Sequence, residues 1–488
     1  MTPELYTVPA ADLVGLTPEL LLAGGGVLAL LLDAFFPRLS RLAMPVSLLA
    51  VLGSLYHVGG SLGNAPANGF HGLLGSSPLT SAISGIILVA TLLALLASDG
   101  FLRREGLGAG EYYSLLLWCA AGLLVMTRAQ ELITLFVALE LFSVCLYTLA
   151  AYHRRLQVSV EAGIKYFLMG AFVSAFVLLG IALLYGEAGS TRLDALAEYL
   201  RGTSATGNSA LAVLGLLLLV AGFGFKMSIA PFHAWAPDTY QGAPSPFVGF
   251  LSVAPKAASA VVLVRVLELT FLDTTGKWSQ LIALLAVLSM VIGNVFALVQ
   301  RDIKRMLAYS GIAHMGYLLV ALVTLDSGSL EALVVYLLAY ALMNAGAFAV
   351  IGILYTEPGE QHLISDLGGL GYRFPLLSAC LAICLLSLGG IPPTLGFLGK
   401  YLIFVQALDA GNLGLALIVV LTSLVGVFYY LRVIYTLFMR PQVREVEGSA
   451  TDLWGRTAAL LAAGATLFVG LWPGKLLSWV YEIAGKSL

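Results

Sequence analysis

Charged side chains are scarce in this sequence of 488 residues. Asp, Glu, Lys and Arg make up only 11% of it, whereas hydrophobic residues make up 59%. Soluble domains carry about 25% charged residues, and a run of about 20 apolar residues is long enough to cross a bilayer. By that criterion the sequence contains about fourteen spans. The composition excludes a soluble globular protein and predicts an all-α polytopic membrane protein.

Cysteine and the usual cofactor motifs are also lacking. The four cysteines (Cys119, Cys145, Cys380 and Cys384) lie in apolar runs and match neither a disulfide framework nor a metal site. Without a glycine-rich nucleotide fold, an iron–sulfur pattern or a flavin site, the chain is expected to bind no metal or cofactor itself. A net charge of −2 without a basic tail gives no indication of nucleic-acid binding. The N-terminus lacks the positive segment of a cleavable signal, so the first apolar run is expected to remain as a helix.

One stretch in the middle of the chain combines lysines with helix breakers. Residues 222–257 carry Lys226 and Lys256 inside apolar runs, beside five prolines. A lysine in hydrocarbon costs at least ~2.5–3.5 kcal/mol, so an intramembrane ionisable side chain indicates a function. A proline frees a backbone carbonyl four residues back, which is tolerated at membrane depth only where protein or water satisfies it. The stretch predicts a hydrated, charged site in the middle of a membrane.

Two of the predicted helices are interrupted. The seventh is broken around Pro231, and the twelfth is broken by GGIPPTLGFLGK at residues 389–400. The approximate bounds of the fourteen helices are 14–36, 42–64, 79–99, 112–127, 131–151, 162–186, 211–234, 246–270, 280–299, 307–325, 330–355, 375–408, 413–439 and 456–482.

Loop charges predict the orientation, because lysines and arginines accumulate in cytoplasmic loops. The odd-numbered loops carry thirteen of them and the even-numbered loops four. Both termini are therefore expected on the periplasmic side of a bacterial inner membrane. The two sets are Arg38, Arg41, Arg103, Arg104, Arg154, Arg155, Arg301, Lys304, Arg305, Arg373, Arg440, Arg444 and Arg456, against Arg128, Arg192, Arg201 and Lys277.

The order of the helices predicts an internal repeat. Helices four to eight fill 112–270 and helices nine to thirteen fill 280–439, between three helices in 1–111 and one in 440–488. Five is an odd number, so the second unit must run in the opposite sense to the first. The broken helix is the fourth of each unit, and paired interruptions in inverted repeats point to a transport site.

Four intramembrane residues are the main candidates for proton transfer. Glu140 has no Lys or Arg within one helical turn, and a lone buried glutamate with a distant lysine partner makes a proton-exchanging site. Lys226 and Lys256 lie on neighbouring helices, and Lys400 follows the second interruption. The alternatives are a structural ion pair or an inert acid for Glu140, and snorkelling or helix-end charges for the lysines.

Three further residues are weaker candidates. Lys165 follows Glu161 by four residues, the spacing of a helical ion pair at the membrane edge. His233 adjoins the first interruption and His314 lies within the tenth helix, and each is either a proton relay or a structural residue. Other cations near helix ends are interpreted as snorkelling or structural: Arg265, with Glu268, and Arg432.

Five long segments together carry a family resemblance. They are VEAGIKYFLMGAF (160–172), GIALLYGEAGS (180–190), GFKMSIAPFHAWAPDTYQGAPSP (224–246), QRDIKRMLAYSGIAHMGY (300–317) and SLGGIPPTLGFLGKYLIF (387–404). With them, nearly the whole chain resembles the antiporter-like membrane subunits of proton-pumping NADH:quinone oxidoreductase, respiratory complex I. It looks most like the subunit N branch, the counterpart of mitochondrial subunit 2. The lysine at position 400 fits that branch, whereas subunit M carries a glutamate there. The chain also stops after helix fourteen, without the long lateral helix of subunit L.

The resemblance implies roles for matched residues in a proton-translocating subunit. Glu140 would be the fifth-helix glutamate paired with Lys226, Lys256 the central lysine, and Lys400 the residue that faces the opposite side of the membrane. Lys165 matches a sixth-helix lysine linked to activity. FMN, iron–sulfur clusters and quinone would be used by other subunits. The partners would be the other membrane subunits and the lipid bilayer, with indirect coupling to a peripheral redox arm.

Three other functions stay open at this point. The first is a subunit of a multi-subunit sodium/proton antiporter, which shares the fold and most of the charged residues. The second is a solute carrier whose broken helices bind a small anion, which would need an enlarged polar cavity. The third is a structural subunit, in which all four charged residues would tolerate neutral substitutes.

Overall fold

A computed structural model describes residues 9–62, 67–204, 209–271, 275–323, 325–355, 362–442, 447–448 and 452–487. In this part of the chain nearly all residues are helical, as the composition predicted. Four short strands form two antiparallel pairs outside the helices. They are β1 (Ala67–Gly69) with β2 (Leu74–Ser76), and β3 (Leu354–Tyr355) with β4 (Glu447–Gly448).

The N-terminal segment shows how local sequence sets helix bounds. Its helices are α1 (Ala10–Gly15), α2 (Thr17–Phe35), α3 (Ala43–Ser61) and α4 (Pro78–Glu105). Helix α4 begins with a capping box, in which the Thr80 N–H donates to Ser77 Oγ at 3.2 Å and the Ser77 N–H donates to Thr80 Oγ at 2.8 Å. It ends at Gly106, whose φ of +60° is the left-handed conformation that stops a helix.

The middle of the chain contains eight helices. They are α5 (Ala109–Arg128), α6 (Leu132–Ala150), α7 (Gln157–Ala188), α8 (Leu193–Ser204), α9 (Ala210–Met227), α10 (Trp235–Gly242), α11 (Ser245–Leu251) and α12 (Ala254–Phe271). Hydropathy did not predict α8, because it is a short amphipathic helix that buries only one stripe, including Leu196 and Leu200. It packs against α7 and α12.

The remaining nine helices complete the bundle. They are α13 (Thr275–Val299), α14 (Ile303–Ala321), α15 (Ser327–Ile353), α16 (Leu370–Arg373), α17 (Pro375–Gly389), α18 (Leu395–Asp409), α19 (Leu413–Met439), α20 (Leu453–Leu471) and α21 (Gly474–Ser487). Four strongly buried helices, α11, α12, α15 and α4, form a contiguous group in the bundle. A helix that is apolar all round belongs in the core of a bundle. Lys256, on α12, is thereby placed at the centre of the protein.

The helices differ from the predicted spans in a few details. Among the described residues, twelve helical segments are long and apolar enough to cross a membrane by length and composition, and the tenth and twelfth of the about fourteen predicted spans are not among them. The predicted tenth helix exists as α14 but is less apolar, and the twelfth consists of the two short helices α17 and α18. The eighth helix is also interrupted, between α11 and α12. The fourteenth ends at Leu471, before Pro473, and α21 follows as a separate amphipathic helix.

A few predictions fall outside the described residues. They concern the ends of the predicted helices at 63–64 and 324, the loop residue Arg444, and the side chains of Glu268 and Lys277.

Matching backbone contacts occur in the two predicted units. In the first, the Leu132 N–H donates to the Thr191 carbonyl at 2.9 Å, which joins the α5–α6 connection to the segment after α7. In the second, the Ile303 N–H donates to the His362 carbonyl at 2.9 Å, which joins the α13–α14 connection to the segment after α15. Five candidate membrane spans lie between the α5–α6 and α13–α14 connections along the chain.

Matching arginine contacts accompany them. Arg265, on α12, donates to the Thr127 carbonyl near the end of α5 at 3.0 Å. Arg432, on α19, donates to the Leu298 and Gln300 carbonyls at the end of α13, at 2.8 and 2.7 Å. The last carbonyls of a helix have no partner within the helix, and basic side chains satisfy them. Each arginine therefore satisfies the end of a neighbouring helix.

Candidate functional site

The interruption of the seventh helix places Lys226 at the end of α9. Ser228 adopts a left-handed φ of +60°, and the Ile229 N–H donates back to the Gly224 carbonyl at 2.9 Å. Helix α17, the first part of the predicted twelfth helix, ends in the same way. Gly390 has a φ of +78°, and the Ile391 N–H donates to the Leu386 carbonyl at 3.1 Å. This pattern closes a helix and satisfies its last carbonyls inside the membrane.

Lys226 lies in an aromatic enclosure. It is 2% exposed, and its Nζ donates to Ser143 Oγ at 2.7 Å. Ser143 Oγ donates in turn to the Leu139 carbonyl at 2.5 Å. The rings of Phe142 and Tyr147 lie 5.4 and 5.3 Å from the ammonium. Ring faces stabilise a buried cation without neutralising it. Lys226 can therefore be charged or neutral in this enclosure without breaking an ion pair.

Glu140 is oriented towards Lys226 but does not touch it. Ser143 and Tyr147 follow it by three and seven residues on α6, so the three share one helical face. Within the described residues Glu140 forms no ion pair, and its buried Oε1 has no hydrogen-bond partner. Lys226 donates to Ser143 and not to the carboxylate, although both acceptors lie on the same helix. Glu140 and Lys226, the pair expected from the sequence, are therefore not in contact, and they interact electrostatically across the gap.

Aromatic rings fill the space from Lys226 to Lys256. The ring of Tyr166 lies 5.8 Å from Lys226 Nζ and stacks on Trp235 with centroids 4.3 Å apart. Trp235 contacts Tyr240 at 6.3 Å, and Tyr240 faces Lys256 Nζ at 5.7 Å. The hydroxyls of Tyr166 and Tyr240 are buried without protein partners. No continuous protein hydrogen-bond chain links the two lysines in the described structure.

Lys256 is the most isolated of the buried cations. It is 1% exposed, and its Nζ has no hydrogen-bond acceptor among the described residues. The Tyr340 ring, on α15, also lies 5.8 Å from Lys256 Nζ. A Cβ at Gly311 would approach Nζ to 3.1 Å, so this glycine leaves the room that the ammonium occupies. A buried unpaired cation is costly, which indicates a function rather than a stabilising role.

His314 connects the central lysine to the second interruption. Its Nδ1 lies 2.6 Å from the Tyr336 hydroxyl and its Nε2 3.1 Å from the Tyr430 hydroxyl. The Tyr430 hydroxyl donates to Ser310 Oγ at 2.7 Å. The imidazole also packs against the Tyr340 ring, which Lys256 faces. It packs against the Tyr317 ring as well, which Lys400 faces. His314 thus lies between two lysines, with a hydroxyl on each ring nitrogen.

Lys400 lies on α18, just after the second interruption. Its Nζ donates to Ser423 Oγ at 2.9 Å and to the Gly389 carbonyl at 3.2 Å, and it faces the Tyr317 ring at 5.0 Å. It is 8% exposed and, like Lys226 and Lys256, has no carboxylate partner within the described part of the chain. The carbonyl that it binds is one that the end of α17 leaves free.

Lys165 lies apart from this line, at the end of the bundle where α7 begins. It forms ion pairs with Glu161 at 2.7 Å, as predicted, and with Asp238 at 2.9 Å. Asp238 also forms an ion pair with Arg305 on α14 at 2.5 Å. Asp238 lies between the spans Ala210–Met227 and Ser245–Leu267. Burial raises its pKa, but hydrogen bonds from Lys165 and Arg305 outweigh burial and lower the pKa below its usual value. The two cations therefore favour the charged form of this carboxylate.

His233 is separate from the other candidates. It lies half-buried in the turn between α9 and α10, and its Nδ1 is buried without a hydrogen-bond partner. The described contacts do not join it to Lys226 or Lys256. For metals, the described residues contain no cluster of three or more His, Cys, Asp or Glu side chains that could hold an ion.

The sequence did not single out several of these side chains. Ser143 could have been found by its spacing from Glu140, and Tyr336 and Tyr340 by their four-residue spacing on one helix. Asp238 gives no local signal, because its partners Lys165 and Arg305 lie 73 and 67 residues away in the sequence. Tyr430 gives no sequence signal, because its proximity to His314 depends on the packing of two helices far apart in the chain.

Replacing Gly396 with alanine is expected to destabilise the broken helix. A Cβ there would lie 2.0 Å from the Ser387 carbonyl oxygen, and a backbone atom cannot move aside as a flexible side chain can. Overpacking of this kind costs about 3 kcal/mol. The thermal unfolding midpoint of the solubilised protein should fall. Gly414→Ala is the matched control, because no atom lies within 4 Å of its added Cβ. Equal midpoints for the two variants would contradict the prediction.

Comparisons with known proteins agree on one family. Residues 129–426 match the family model described as NADH:quinone oxidoreductase/Mrp antiporter, transmembrane. A protein of Trichlorobacter lovleyi named NADH-quinone oxidoreductase subunit N is 38% identical over 95% of this chain and 95% of its own length. A chain of respiratory complex I from Thermus thermophilus, solved with bound aureothin, is 35% identical with a TM-score of 0.80. That alignment covers 94% of this chain and 98% of the other.

The fold is also found in an antiporter assembly. A chain of the Mrp complex from Dietzia sp. DQ12-45-1b has a TM-score of 0.84 and covers 98% of this chain and 97% of its own. At 21% identity, this similarity concerns the fold alone.

Proposed function

Because this chain belongs to the NADH:quinone oxidoreductase/Mrp antiporter family and is an antiporter-like membrane subunit of NADH:quinone oxidoreductase, we propose that Glu140, Lys226, Lys256 and Lys400 carry its protons. The observation that supports this assignment is the lack of counter-ions. Each of the three lysines is at least nine-tenths buried, and none has a carboxylate partner among the described residues. Stabilising buried cations are normally paired, so unpaired ones at helix interruptions fit a transport path.

The proposed path has two sections of different chemistry. From Lys226 to Lys256 the wall is aromatic, so proton transfer there depends on water or on charge acting at a distance. From Lys256 to Lys400, His314 and the hydroxyls of its tyrosines offer protein groups that exchange protons. His314 is therefore assigned to the path, whereas Lys165 and His233 are assigned supporting roles outside it.

Charge repulsion would drive the movement. Two like charges about 8 Å apart interact by roughly 2 kcal/mol at an effective dielectric constant of about 20. That changes a proton-transfer equilibrium by more than about tenfold. Redox energy released in other subunits would change the charge or hydration at one lysine, and the next lysine would pass its proton on.

The chain carries out no redox chemistry itself in this proposal. FMN, iron–sulfur clusters and quinone belong to other subunits, and the other membrane subunits link this chain to the peripheral arm. We place the protein in a bacterial inner membrane with both termini on the periplasmic side, because thirteen loop cations against four favour that orientation.

We also propose that 112–270 and 280–439 are inverted repeats, between an N-terminal segment at 1–111 and a C-terminal segment at 440–488. The matched backbone contacts after α7 and α15 support this division. The equivalent contacts of Arg265 and Arg432 support it as well.

Co-purification tests the assignment to the respiratory complex. The protein would be tagged at its C-terminus and solubilised gently, and everything in the same peak identified. Flavin and iron–sulfur subunits with quinone-reductase activity are the expected result. Small membrane subunits without any redox protein would instead support the antiporter function, and sodium-dependent proton exchange would then be measured.

Asp238→Asn is expected to lower coupled activity more than Glu161→Gln does. Asp238 forms ion pairs with Lys165 and Arg305, which belong to different proposed units, whereas Glu161 forms an ion pair with Lys165 and is 62% exposed. Without the Asp238 charge, Arg305 loses this carboxylate and Lys165 keeps only the exposed Glu161 of its two partners. Proton pumping per quinone reduced should fall by about threefold or more for Asp238→Asn and change little for Glu161→Gln. Equal effects of the two variants would refute a special role for Asp238.

A further inference from the structure

A polar cavity lies outside the proton path, in the N-terminal segment. It has a volume of about 340 Å³ and lies between α2, α3, α4 and α5, where α2 and α4 begin and α3 and α5 end. Six hydroxyl-bearing side chains line it: Ser61, Ser76, Ser77, Thr80, Ser81 and Ser84. Such a density of hydroxyls in a membrane protein indicates contact with water or a polar ligand.

An ion pair with free hydrogen-bonding atoms forms one wall of this cavity. Arg128 Nη1 donates to Glu19 Oε1 at 2.7 Å and to the Gly15 carbonyl at 2.8 Å. Glu19 is only 6% exposed. Its Oε2 and Arg128 Nε are both buried without a protein partner. Buried polar atoms are almost always satisfied, so this wall requires a partner that both accepts and donates.

The chemistry of the wall selects a neutral ligand. The charges of Glu19 and Arg128 cancel, so neither an anion nor a metal cation gains a net attraction. A single hydroxyl group can donate to Glu19 Oε2 and accept from Arg128 Nε. Two hydroxyl groups on adjacent carbons can do the same, one for each protein atom. The lining hydroxyls offer the same complementarity to further hydroxyls of the ligand. We propose that this cavity binds a neutral polyhydroxylated group.

Two sources present that chemistry at a membrane face. One is the sugar headgroup of a glycolipid, whose acyl chains would lie against exposed apolar side chains at the cavity, such as Val14, which is 62% exposed. The other is a free sugar from the aqueous phase. The proposal is independent of the proton path, because it uses none of its residues.

Lipid retention by the purified complex tests the proposal. The complex is equilibrated with monoglucosyl-dioleoylglycerol and dioleoylphosphatidylcholine, washed, and the retained lipid counted by mass spectrometry. A parallel sample is dialysed against radiolabelled glucose. Ser81→Val removes a hydroxyl and fills the cavity. The matched control is Ser40→Val, in the separate cavity of about 230 Å³ near Asp33 and Asp99.

The wild type and Ser40→Val should retain the glucosyl lipid in preference to phosphatidylcholine. Ser81→Val should lower that preference by about fivefold, the effect of one lost hydrogen bond. Glucose binding without lipid preference, again lost in Ser81→Val, would assign the site to a free sugar. Ser76→Val replaces Ser81→Val if the latter complex does not assemble. Absence of both ligands from the wild type, or equal binding by wild type and the cavity variant, would overturn the proposal.

Discussion

Lys226→Ala is expected to reduce coupled proton pumping by about tenfold or more, while the complex still assembles. The substitution removes the ammonium that Ser143 and the surrounding rings hold, and with it the charge that Glu140 faces. A buried cation without a carboxylate partner contributes little to stability, so its loss should leave the fold intact. The measurement is proton uptake by vesicles per quinone reduced, beside an assembly assay on the same membranes.

Glu140→Gln and Lys226→Arg sharpen this test. If the separated pair acts as a unit, Glu140→Gln should also impair pumping, and the double variant should be no worse than either single one. Lys226→Arg keeps the charge but releases no proton, because a guanidinium stays protonated in proteins. It should therefore fail to restore pumping. Normal pumping by Lys226→Ala in an assembled complex would show that this lysine is not on the path.

His314→Leu is expected to have a comparably large effect. It removes the group that contacts Tyr336 and Tyr430, and it interrupts the section between Lys256 and Lys400. General acid–base residues typically contribute about 10²-fold or more, so pumping should fall at least tenfold. Tyr336→Phe and Tyr430→Phe each remove one hydroxyl partner and should have smaller effects.

His314→Gln separates proton transfer from hydrogen bonding at this position. Glutamine can bond to both tyrosine hydroxyls but does not ionise in the working pH range. If His314 carries protons, His314→Gln should be impaired nearly as much as His314→Leu. A glutamine variant that pumps normally would reduce His314 to a structural residue, and the path would then need another connection to Lys400.

Local sequence was enough to find the helices and the principal charged residues. Hydropathy is a property of short segments, so most spans were predicted to within a few residues. A lysine among apolar residues stands out without any tertiary information, which identified Lys226, Lys256 and Lys400. The two interruptions were visible because proline and glycine change the backbone wherever they occur. The long motifs indicated the family, and the comparisons confirmed it.

Contacts between distant segments could not be derived in this way. Whether Glu140 touches Lys226 depends on how α6 and α9 are rotated against each other, and in the structure Lys226 donates to Ser143 instead. His314 and Tyr430 are 116 residues apart and meet only because α14 and α19 pack together.

The sequence by itself determined the class of protein, the positions of its breaks and the identity of its buried charges. Hydrophobicity and backbone chemistry act over a few residues, and both are written in the local sequence. The tertiary structure alone decided which charges are paired, where aromatic rings and where hydroxyls lie between the lysines, and that Asp238 joins Lys165 to Arg305. Those features depend on distances of a few Å between helices, and small rotations of a helix change them without changing its hydropathy.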